Sequence, residues 1–277
     1  MAKTINCRGT LLDTGTPLVM GIINLTEDSF YAGSRVNSET KLLQTAETML
    51  TEGASILDVG AMSSRPGARL PEEKTELEKI SWGVQSLVSH FPQAIVSVDT
   101  MRSRIARAGL DAGAAIINDI SGGEFDPQMM STVAAYGAPY ILMHMKGLPE
   151  NMQQNTAYDD VVLEVMSYLS RKIHDARSAG INDIILDPGF GFGKTLEHNT
   201  ALLRRLGELV MPGLPLLVGL SRKSMLGQLT GRAAPERIYA GVAAHVFAVL
   251  RGARIVRVHD VAATRDALAV LQSVEDY

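Results

Sequence analysis

Eight short apolar runs alternate with longer segments of helical spacing along the 277 residues, and this alternation predicts an α/β fold, a (β/α)8 or TIM barrel. The runs are rich in Ile, Val and Leu and nearly continuous in hydrophobicity, as is typical of parallel strands that are covered on both faces. They begin at Leu18, Ser55, Ala94, Ala114, Pro139, Asp183, Pro215 and Ala253. A doubly wound open sheet is the alternative that this pattern leaves open.

The segments between the runs carry apolar stripes with the period of a helix. One stripe ends before Gly53 and another before Gly180, and glycine is favoured just past the end of a helix. Thr100 stands before a third helical segment, so we expect its side chain to cap that helix.

Upstream of the first run, the stretch INCRGTLLD predicts a short β-hairpin that covers the N-terminal end of the barrel. No linker, low-complexity tract or further repeat interrupts the chain. We therefore predict a single domain over residues 1–277, with the hairpin in 1–17 and the barrel in 18–277.

Composition narrows the class of protein. With 26 basic and 30 acidic residues the net charge is −4, which argues against a nucleic-acid partner. Cys7 is the only cysteine, so no intrachain disulfide can form and a reducing compartment is expected. The first ten residues lack the apolar stretch of a signal peptide, and no apolar segment reaches the roughly 20 residues of a membrane span. We expect a cytoplasmic protein with no membrane partner.

A polar side chain stands at or near the C-terminal end of every apolar run. In a (β/α)8 barrel the active site lies at that end of the strands. One such residue could simply cap the next helix, but eight together predict a binding pocket. They are Asn24, Asp58, Asp99, Asn118, Asp119, His144, Asp187, Ser221, Arg222, Lys223, Arg257, His259 and Asp260.

Four of these residues come from separate strands and can converge on one pocket: Asp99, Asn118, Asp187 and Lys223. Carboxylates and a carboxamide accept hydrogen bonds from ring N–H and amine groups, while a lysine donates to a ring carbonyl. The set suits a flat heterocycle with a guanidine-like edge. A purine would satisfy the same groups, so these residues alone do not identify the ring.

Arg257 and His259 are two apart on a strand and therefore share a face. With Arg65 and the amides after Ser221 they could hold a diphosphate, because the loops after the last two strands are the usual phosphate site of this fold. An inward-facing structural pair is the other interpretation of Arg257 and His259. Asn24 and Arg65 lie in loops that bear glycine and serine and can act as covers.

The stretch GFGFGKT, from Gly189, follows a strand and looks like a phosphate-binding loop. The P-loop pattern requires a glycine at the position that Pro188 occupies, so the match fails. His144 has no partner at metal-ligand spacing, and Ser221 has no adjacent base that would activate it as a nucleophile.

At these residues the sequence resembles the dihydropteroate synthase family along nearly its whole length. The matching stretches, in family order, are MGIINLTEDSF, SSRPGA, SVDT, INDISGG, LMHMKG, LDPGFGFGK, GLSRKS and RVHD. The resemblance implies that the enzyme condenses 6-hydroxymethyl-7,8-dihydropterin diphosphate with 4-aminobenzoate in folate biosynthesis. The alternatives are a pterin-binding methyltransferase that serves a corrinoid, and a catalytically inactive pterin-binding protein.

The resemblance also implies a role for individual residues. The pterin ring would be bound by Asp99, Asn118, Asp187 and Lys223, in a pocket with Met143, Phe190 and Gly219. Asn24 would hold a magnesium ion, Mg2+, together with the diphosphate, which Arg257 and His259 would bind.

The 4-aminobenzoate contacts would come from Phe30, Ser64, Arg65, Pro66 and Ser221. The predicted catalytic residues are Asp28, Arg65 and Lys223, and Asp28 would favour a cationic intermediate. The family also implies a homodimer through helices on one side of the barrel and inhibition by sulfonamides. Two loops depart from the family pattern: Glu27 replaces a proline, and Ala61, Met62 and Ser64 replace Gly, Glu and Thr.

Overall fold

An antiparallel hairpin precedes the barrel, as the sequence predicts. The computed structural model describes residues 4–25, 35–61, 70–147, 152 and 156–274, with the backbone alone for 35–37. The hairpin consists of β1 (Thr4–Cys7) and β2 (Thr10–Asp13). Its buried side chains belong to the same apolar cluster as the first residues of the barrel strands, so the hairpin closes the N-terminal end of the barrel.

Eight parallel strands follow. They are β3 (Leu18–Asn24), β4 (Ile56–Gly60), β5 (Val96–Asp99), β6 (Ile116–Asp119), β7 (Tyr140–Met143), β8 (Ile184–Asp187), β9 (Leu216–Val218) and β10 (Ala253–Val258). They pair in chain order, and β10 pairs with both β9 and β3, so the sheet is closed. The predicted (β/α)8 barrel is thereby confirmed, and the open sheet is excluded.

Helices surround the barrel and pack against the outer faces of the strands. They are α1 (Arg35–Thr51), α2 (Glu73–His90), α3 (Ser103–Asp111), α4 (Met129–Ala135), α5 (Val161–Ser178), α6 (Leu196–Arg204), α7 (Ser224–Thr230), α8 (Ile238–Leu250) and α9 (Val261–Val274). Gly53 and Gly180 follow α1 and α5 at positive φ, as the sequence predicts. Within the described segments, every helix is too short or too polar to cross a membrane.

The prediction that Thr100 caps a helix is wrong. Arg102 stands at the N-cap position of α3, and its side chain makes no capping bond. The Thr100 hydroxyl instead donates to Glu76 of α2 at 2.6 Å. Glu76 is 1% exposed, and a buried carboxylate needs donors. The Thr100 oxygen accepts the Arg102 N–H at 3.2 Å, ahead of the helix, and the first N–H of α3, that of Ser103, donates to Asp126 Oδ2 at 2.8 Å.

The register of the strands aligns their polar ends. Asn24 lies beside Gly60, Gly60 beside Asp99, and Asp99 beside Asn118 across four neighbouring strands. The last residue of β8, Asp187, lies beside Met143 of β7. The side chains that the sequence places at strand ends therefore gather at one rim of the barrel.

Candidate active site

Six polar residues at the C-terminal rim, four of them buried and two half-buried, form one group, which we call the strand-end cluster. Its members are Asp58, Asp99, Asn118, Asp187, Lys223 and Arg257. The four residues predicted to bind the ring are thus brought together by β5, β6, β8 and the segment after β9. Asp99 and Asn118 are 3% exposed and Asp187 is 7% exposed, so their polar atoms face the barrel interior rather than bulk water.

Arg257 of β10 ties one side of the cluster together. Its Nε donates to Asp58 Oδ2 at 2.6 Å and its Nη2 to Asp99 Oδ2 at 2.8 Å. Asn118 Nδ2 also donates to Asp58 Oδ2, at 3.0 Å. Burial would lower the pKa of Arg257, but the two carboxylates hold that pKa above its ordinary value. The arginine is therefore the counter-charge of the carboxylates beside it.

Two carboxylate oxygens of the cluster have no hydrogen-bond partner among the residues that the structure describes. Asp58 Oδ1 and Asp99 Oδ1 are both buried and unpaired within the described residues. Burial raises the pKa of Asp99 to about 7, although Arg257 opposes the rise. Buried acceptors without donors are costly, so these oxygens indicate a ligand that brings N–H groups.

Asp58 also belongs to the cluster, although its position in the sequence did not identify it as part of the ring site. It lies one pleat below the rim, where it accepts bonds from Arg257 and Asn118. A signal for it exists in the sequence, because a carboxylate interrupts the apolar run SILDVG. An isolated charge in a buried strand requires a partner within the barrel.

The other side of the cluster is built on a loop. Asp187 Oδ1 accepts a bond from the backbone N–H of Gly189 at 2.7 Å, and burial raises the pKa of this carboxyl. Lys223 Nζ donates to the carbonyl oxygen of Phe190 at 2.6 Å and lies 4.0 Å from the centre of the Phe192 ring. Burial lowers the pKa of Lys223 to about 8.

The three apolar or small residues of the predicted ring pocket lie around this loop and its neighbours. Met143 and Phe190 are 2% and 1% exposed. Gly219 directly follows β9, and a Cβ added there would lie 3.9 Å from Arg257 Cβ. The structure places all three near the cluster, and their contact with a ring stays a prediction.

Ser221 and His259 lie together beside the cluster. Ser221 Oγ is 3.1 Å from His259 Nδ1, and the same oxygen accepts a bond from the His259 backbone N–H at 3.2 Å. The expectation that Ser221 has no adjacent base is therefore wrong, because the end of β10 brings the His259 imidazole beside it. Arg222 has a positive φ of 58°, and its Nη2 lies 2.5 Å from Asp260 Oδ1. The ion pair holds the turn that carries Ser221 and Lys223 against the end of β10.

Two strand-end residues serve the fold instead of the cluster. Asp119 accepts bonds from the Ser121 N–H at 2.8 Å, the Gly123 N–H at 2.8 Å and the Tyr140 hydroxyl at 2.6 Å. It therefore caps its own loop. His144 contacts Lys194 and the Tyr168 ring, and burial lowers the pKa of its imidazole to about 2, so it is neutral.

Part of the predicted site lies outside the described residues: Asp28, Phe30, Ser64, Arg65 and Pro66. Asn24 is described and is exposed at the rim, where β3 ends. The described segments contain no group of three or more His, Cys, Asp or Glu side chains that could hold a metal ion. The assignments to aminobenzoate and metal stay predictions.

Comparison with known proteins agrees with this geometry. The sequence pattern of the family described as "Pterin binding enzyme" matches residues 20–259. Dihydropteroate synthase of Escherichia coli strain K12 is 43% identical over 268 residues, which cover 96% of this chain and 94% of that protein.

Solved structures are similar over the whole fold. Xanthomonas albilineans dihydropteroate synthase with 4-aminobenzoic acid has a TM-score of 0.92 and 40% identity, with both chains covered at 100%. The same enzyme in complex with 7,8-dihydropteroate has a TM-score of 0.87 and 38% identity at 99% coverage of each chain. A Yersinia pestis dihydropteroate synthase with a sulfonamide drug has a TM-score of 0.91 and 42% identity, with 98% of each chain covered. This chain therefore belongs to the dihydropteroate synthase family of pterin-binding enzymes.

Proposed function

We propose that the protein is a dihydropteroate synthase. It condenses 6-hydroxymethyl-7,8-dihydropterin diphosphate with 4-aminobenzoate and releases 7,8-dihydropteroate and diphosphate. The observation that carries this function is the strand-end cluster, in which two buried carboxylate oxygens have no donor within the described residues. The identity of 43% to a named synthase over 96% of the chain supports the same reaction.

The cluster suits recognition of the pterin ring. Asp99, Asn118 and Asp187 offer acceptors to the N–H groups of the ring, and Lys223 offers a donor to its carbonyl oxygen. Hydrogen bonds to ionised groups are about twice as strong as neutral ones, so the charged members would contribute most of the affinity. Because these residues lie on strands or are bonded to a strand-end loop, the ring would be held in one orientation.

In the reaction, the amine nitrogen of 4-aminobenzoate forms a bond to the pterin methylene carbon. The bond from that carbon to the diphosphate oxygen breaks, and its electron pair leaves with the diphosphate. The amine then loses one proton to solvent. Arg257 and His259 would stabilise the negative charge that develops on the leaving group. No covalent bond to the enzyme is needed.

A magnesium ion fits the rim as part of this proposal. Mg2+ prefers oxygen ligands and is usually held by one or two protein oxygens together with substrate phosphates and water. The exposed Asn24 amide oxygen at the end of β3 supplies one such ligand, and the described residues offer no preformed cage of acidic or histidine ligands. When bound, the ion would neutralise charge on the departing diphosphate.

The aminobenzoate site is proposed on Ser221 together with Phe30, Ser64, Arg65 and Pro66. The Ser221 hydroxyl already accepts the His259 backbone N–H, which fixes its position beside the end of β10. Asp28 and Arg65 are proposed as catalytic residues with Lys223. Sulfonamides would compete with 4-aminobenzoate for this site, as their complex with the Yersinia pestis relative suggests.

A homodimer is proposed through α8 and α9. Large apolar side chains are exposed on both helices, with Tyr239 85%, Phe247 38% and Leu250 51% exposed on α8, and Val270 66% and Val274 73% exposed on α9. Exposed large apolar side chains on two neighbouring helices suit a surface that a second protein chain covers. Sedimentation would show a dimer, and Tyr239→Asp would shift it to monomer.

A location in the cytoplasm is proposed from the single, buried and unpaired Cys7.

The test is turnover of the two substrates. With pterin diphosphate, 4-aminobenzoate and magnesium, mass spectrometry should detect dihydropteroate, and diphosphate should appear in equal amount. Omitting 4-aminobenzoate is the control for simple hydrolysis. Absence of product, under conditions in which the Escherichia coli relative turns over, would overturn the proposal. Methyl transfer from methyltetrahydrofolate to a corrinoid would instead favour the alternative enzyme.

A further inference from the structure

The glycine-rich loop after β8 encloses a buried lysine that the ring site does not use directly. Lys194 is 3% exposed. Its Nζ lies 2.9 Å from the Gly189 carbonyl oxygen, 3.0 Å from the Phe192 carbonyl oxygen and 2.9 Å from His144 Nδ1. An ammonium group has three N–H donors, and these three near acceptors match them, with the His144 carbonyl oxygen more distant at 3.5 Å.

The loop conformation explains its glycines. Gly189, Gly191 and Gly193 all have positive φ, at 70°, 80° and 61°. A Cβ at Gly189 would collide with the His144 carbonyl oxygen, and one at Gly193 would lie 2.7 Å from the Lys146 carbonyl oxygen. The loop therefore lies directly against the segment that follows β7. Its pattern of glycine and phenylalanine directs carbonyl groups toward an ammonium and does not form a phosphate cradle.

The same loop carries groups of the strand-end cluster. Between the two carbonyls that Lys194 holds lies the Phe190 carbonyl, which accepts the Lys223 ammonium at 2.6 Å. The Phe192 ring faces that ammonium at 4.0 Å, and the Gly189 N–H donates to Asp187 at 2.7 Å. Any shift of the loop would move Phe190, Phe192 and Gly189 together.

We propose that Lys194 is a positioning residue for pterin binding, which acts by fixing the loop that orients Lys223 and Asp187. This inference rests on the proposed function. His144 serves it as an acceptor: an ammonium only donates, so His144 Nδ1 must be unprotonated. Burial lowers the pKa of His144 to about 2, which is consistent with that tautomer.

Asn199 also holds the loop, so the effect of removing Lys194 can be separated from the loss of the whole loop structure. Asn199 Oδ1 accepts the Gly191 N–H at 2.7 Å, and Asn199 Nδ2 donates to the Thr195 carbonyl at 2.6 Å. Removing the Lys194 donors should therefore release the Gly189 and Phe192 carbonyl groups, while Asn199 still holds Gly191.

The test is Lys194→Met, which keeps most of the stem and removes the donors. Lys172→Met is the matched control, because Lys172 pairs with Glu124 on the surface of α5 at 3.4 Å. We expect Lys194→Met to raise the KM for the pterin diphosphate about ten- to a hundredfold, the effect of losing a charge-assisted bond, with little change in the KM for 4-aminobenzoate. Lys172→Met should leave both unchanged.

A double-mutant cycle shows whether Lys194 acts through Lys223. Pterin affinity of Lys223→Met and of Lys194→Met/Lys223→Met is measured by calorimetry. The single and the double variant are expected to lose nearly the same affinity. Lys194 acts through Lys223, so Lys194→Met should add little once Lys223 is gone. Additive losses would overturn the inference, and so would unchanged pterin affinity in Lys194→Met.

A milder variant covers the case in which Lys194→Met does not fold. His144→Phe removes one acceptor of the three and retains an aromatic ring beside Tyr168. It should raise the KM for the pterin diphosphate selectively, but by a smaller factor than Lys194→Met. An equal rise in KM for both substrates would overturn the inference. Turnover by the wild type establishes the proposed function separately, so failure of one claim is distinguishable from failure of the other.

Discussion

The two sides of the strand-end cluster hold their buried charges in different ways. On the side of β4, β5 and β6, the carboxylates of Asp58 and Asp99 face one arginine of opposite charge, Arg257. On the side of β8 and β9, the ammonium groups of Lys223 and Lys194 donate to backbone carbonyl oxygens of the loop after β8. Strands carry the first side, and a loop shapes the second.

The difference determines what a substitution leaves behind. Removing the arginine leaves two buried carboxylates without their counter-charge, whereas removing a lysine leaves neutral carbonyl groups. An unpaired buried charge is far more costly than an unpaired buried dipole. We therefore expect the side with Arg257 to control stability and the loop side to control ligand affinity.

Arg257→Met should give the largest effect. Breaking one partner of a buried ion pair costs about 3–5 kcal/mol of unfolding free energy, and here two carboxylates lose the same partner. Arg205→Met is the control: Arg205 pairs with Asp160 and Glu208 at the surface, where water screens the charges and little loss of stability is expected. Urea unfolding of both variants measures the difference. Similar losses in the two would show that the first side is not held by its ion pairs.

The same variant sharpens the predicted role of Arg257 toward the diphosphate. Its Nε and Nη2 are already bonded to Asp58 and Asp99, so a loss of pterin affinity is expected even for a ligand without phosphate. If Arg257 also binds the leaving group, the pterin diphosphate should lose more affinity than the pterin alcohol. Calorimetry with both ligands measures this, and equal losses would restrict Arg257 to the ring pocket.

Asp187→Asn should weaken pterin binding and affect stability less. The amide keeps an acceptor for the Gly189 N–H but loses the charge and presents an NH2 group to a ligand donor. A charge-assisted hydrogen bond contributes about 1.5–3 kcal/mol, which is roughly ten- to a hundredfold in affinity. Asp119→Asn is the matched control, since Asp119 is buried at a neighbouring strand end but bonds only its own loop and Tyr140. Should both variants bind the pterin equally well, Asp187 does not contact the ring.

The sequence predicts the barrel and the rim because both depend on strong local patterns. Continuous apolar runs specify buried parallel strands, and a polar residue that ends such a run must face the C-terminal rim. The sequence does not show to which face of the sheet each polar side chain points. Asp119 directly follows Asn118 along β6, so the two side chains point to opposite faces of the sheet, and only Asn118 reaches the cluster.

Lys194 shows a second limit of sequence reasoning. The stretch GFGFGKT fails the phosphate-loop pattern, and nothing in the spacing of its residues indicates three acceptors around one ammonium. That arrangement depends on positive φ angles at three glycines and on the carbonyl groups they turn inward. Backbone groups carry no residue identity, so a site built from them leaves no motif of its own in the sequence.

The most gradual expected effect, spread over several pH units, is a difference in pH dependence between the two sides. Burial raises the pKa of Asp99 from its ordinary 3.8 to about 7, so between these values the folded state binds a proton that the unfolded chain releases. The contribution of Asp99 to stability is therefore lost as the pH rises through about 7.

Lys194 should have the opposite effect in a higher pH range. Burial lowers its pKa from 10.5 to about 7, so between these values the unfolded chain binds a proton that the folded state lacks, and stability rises with pH. Urea unfolding from pH 5 to 9 tests both contributions, because a difference of one bound proton changes the unfolding free energy by at most about 1.4 kcal/mol per pH unit. Asp99→Asn should remove the fall below about pH 7, and Lys194→Met should remove the rise above it. A Lys194→Met curve that runs parallel to the wild type above pH 7 would mean that the ammonium keeps its proton there, held by the carbonyl groups as firmly as Arg257 is held by its carboxylates.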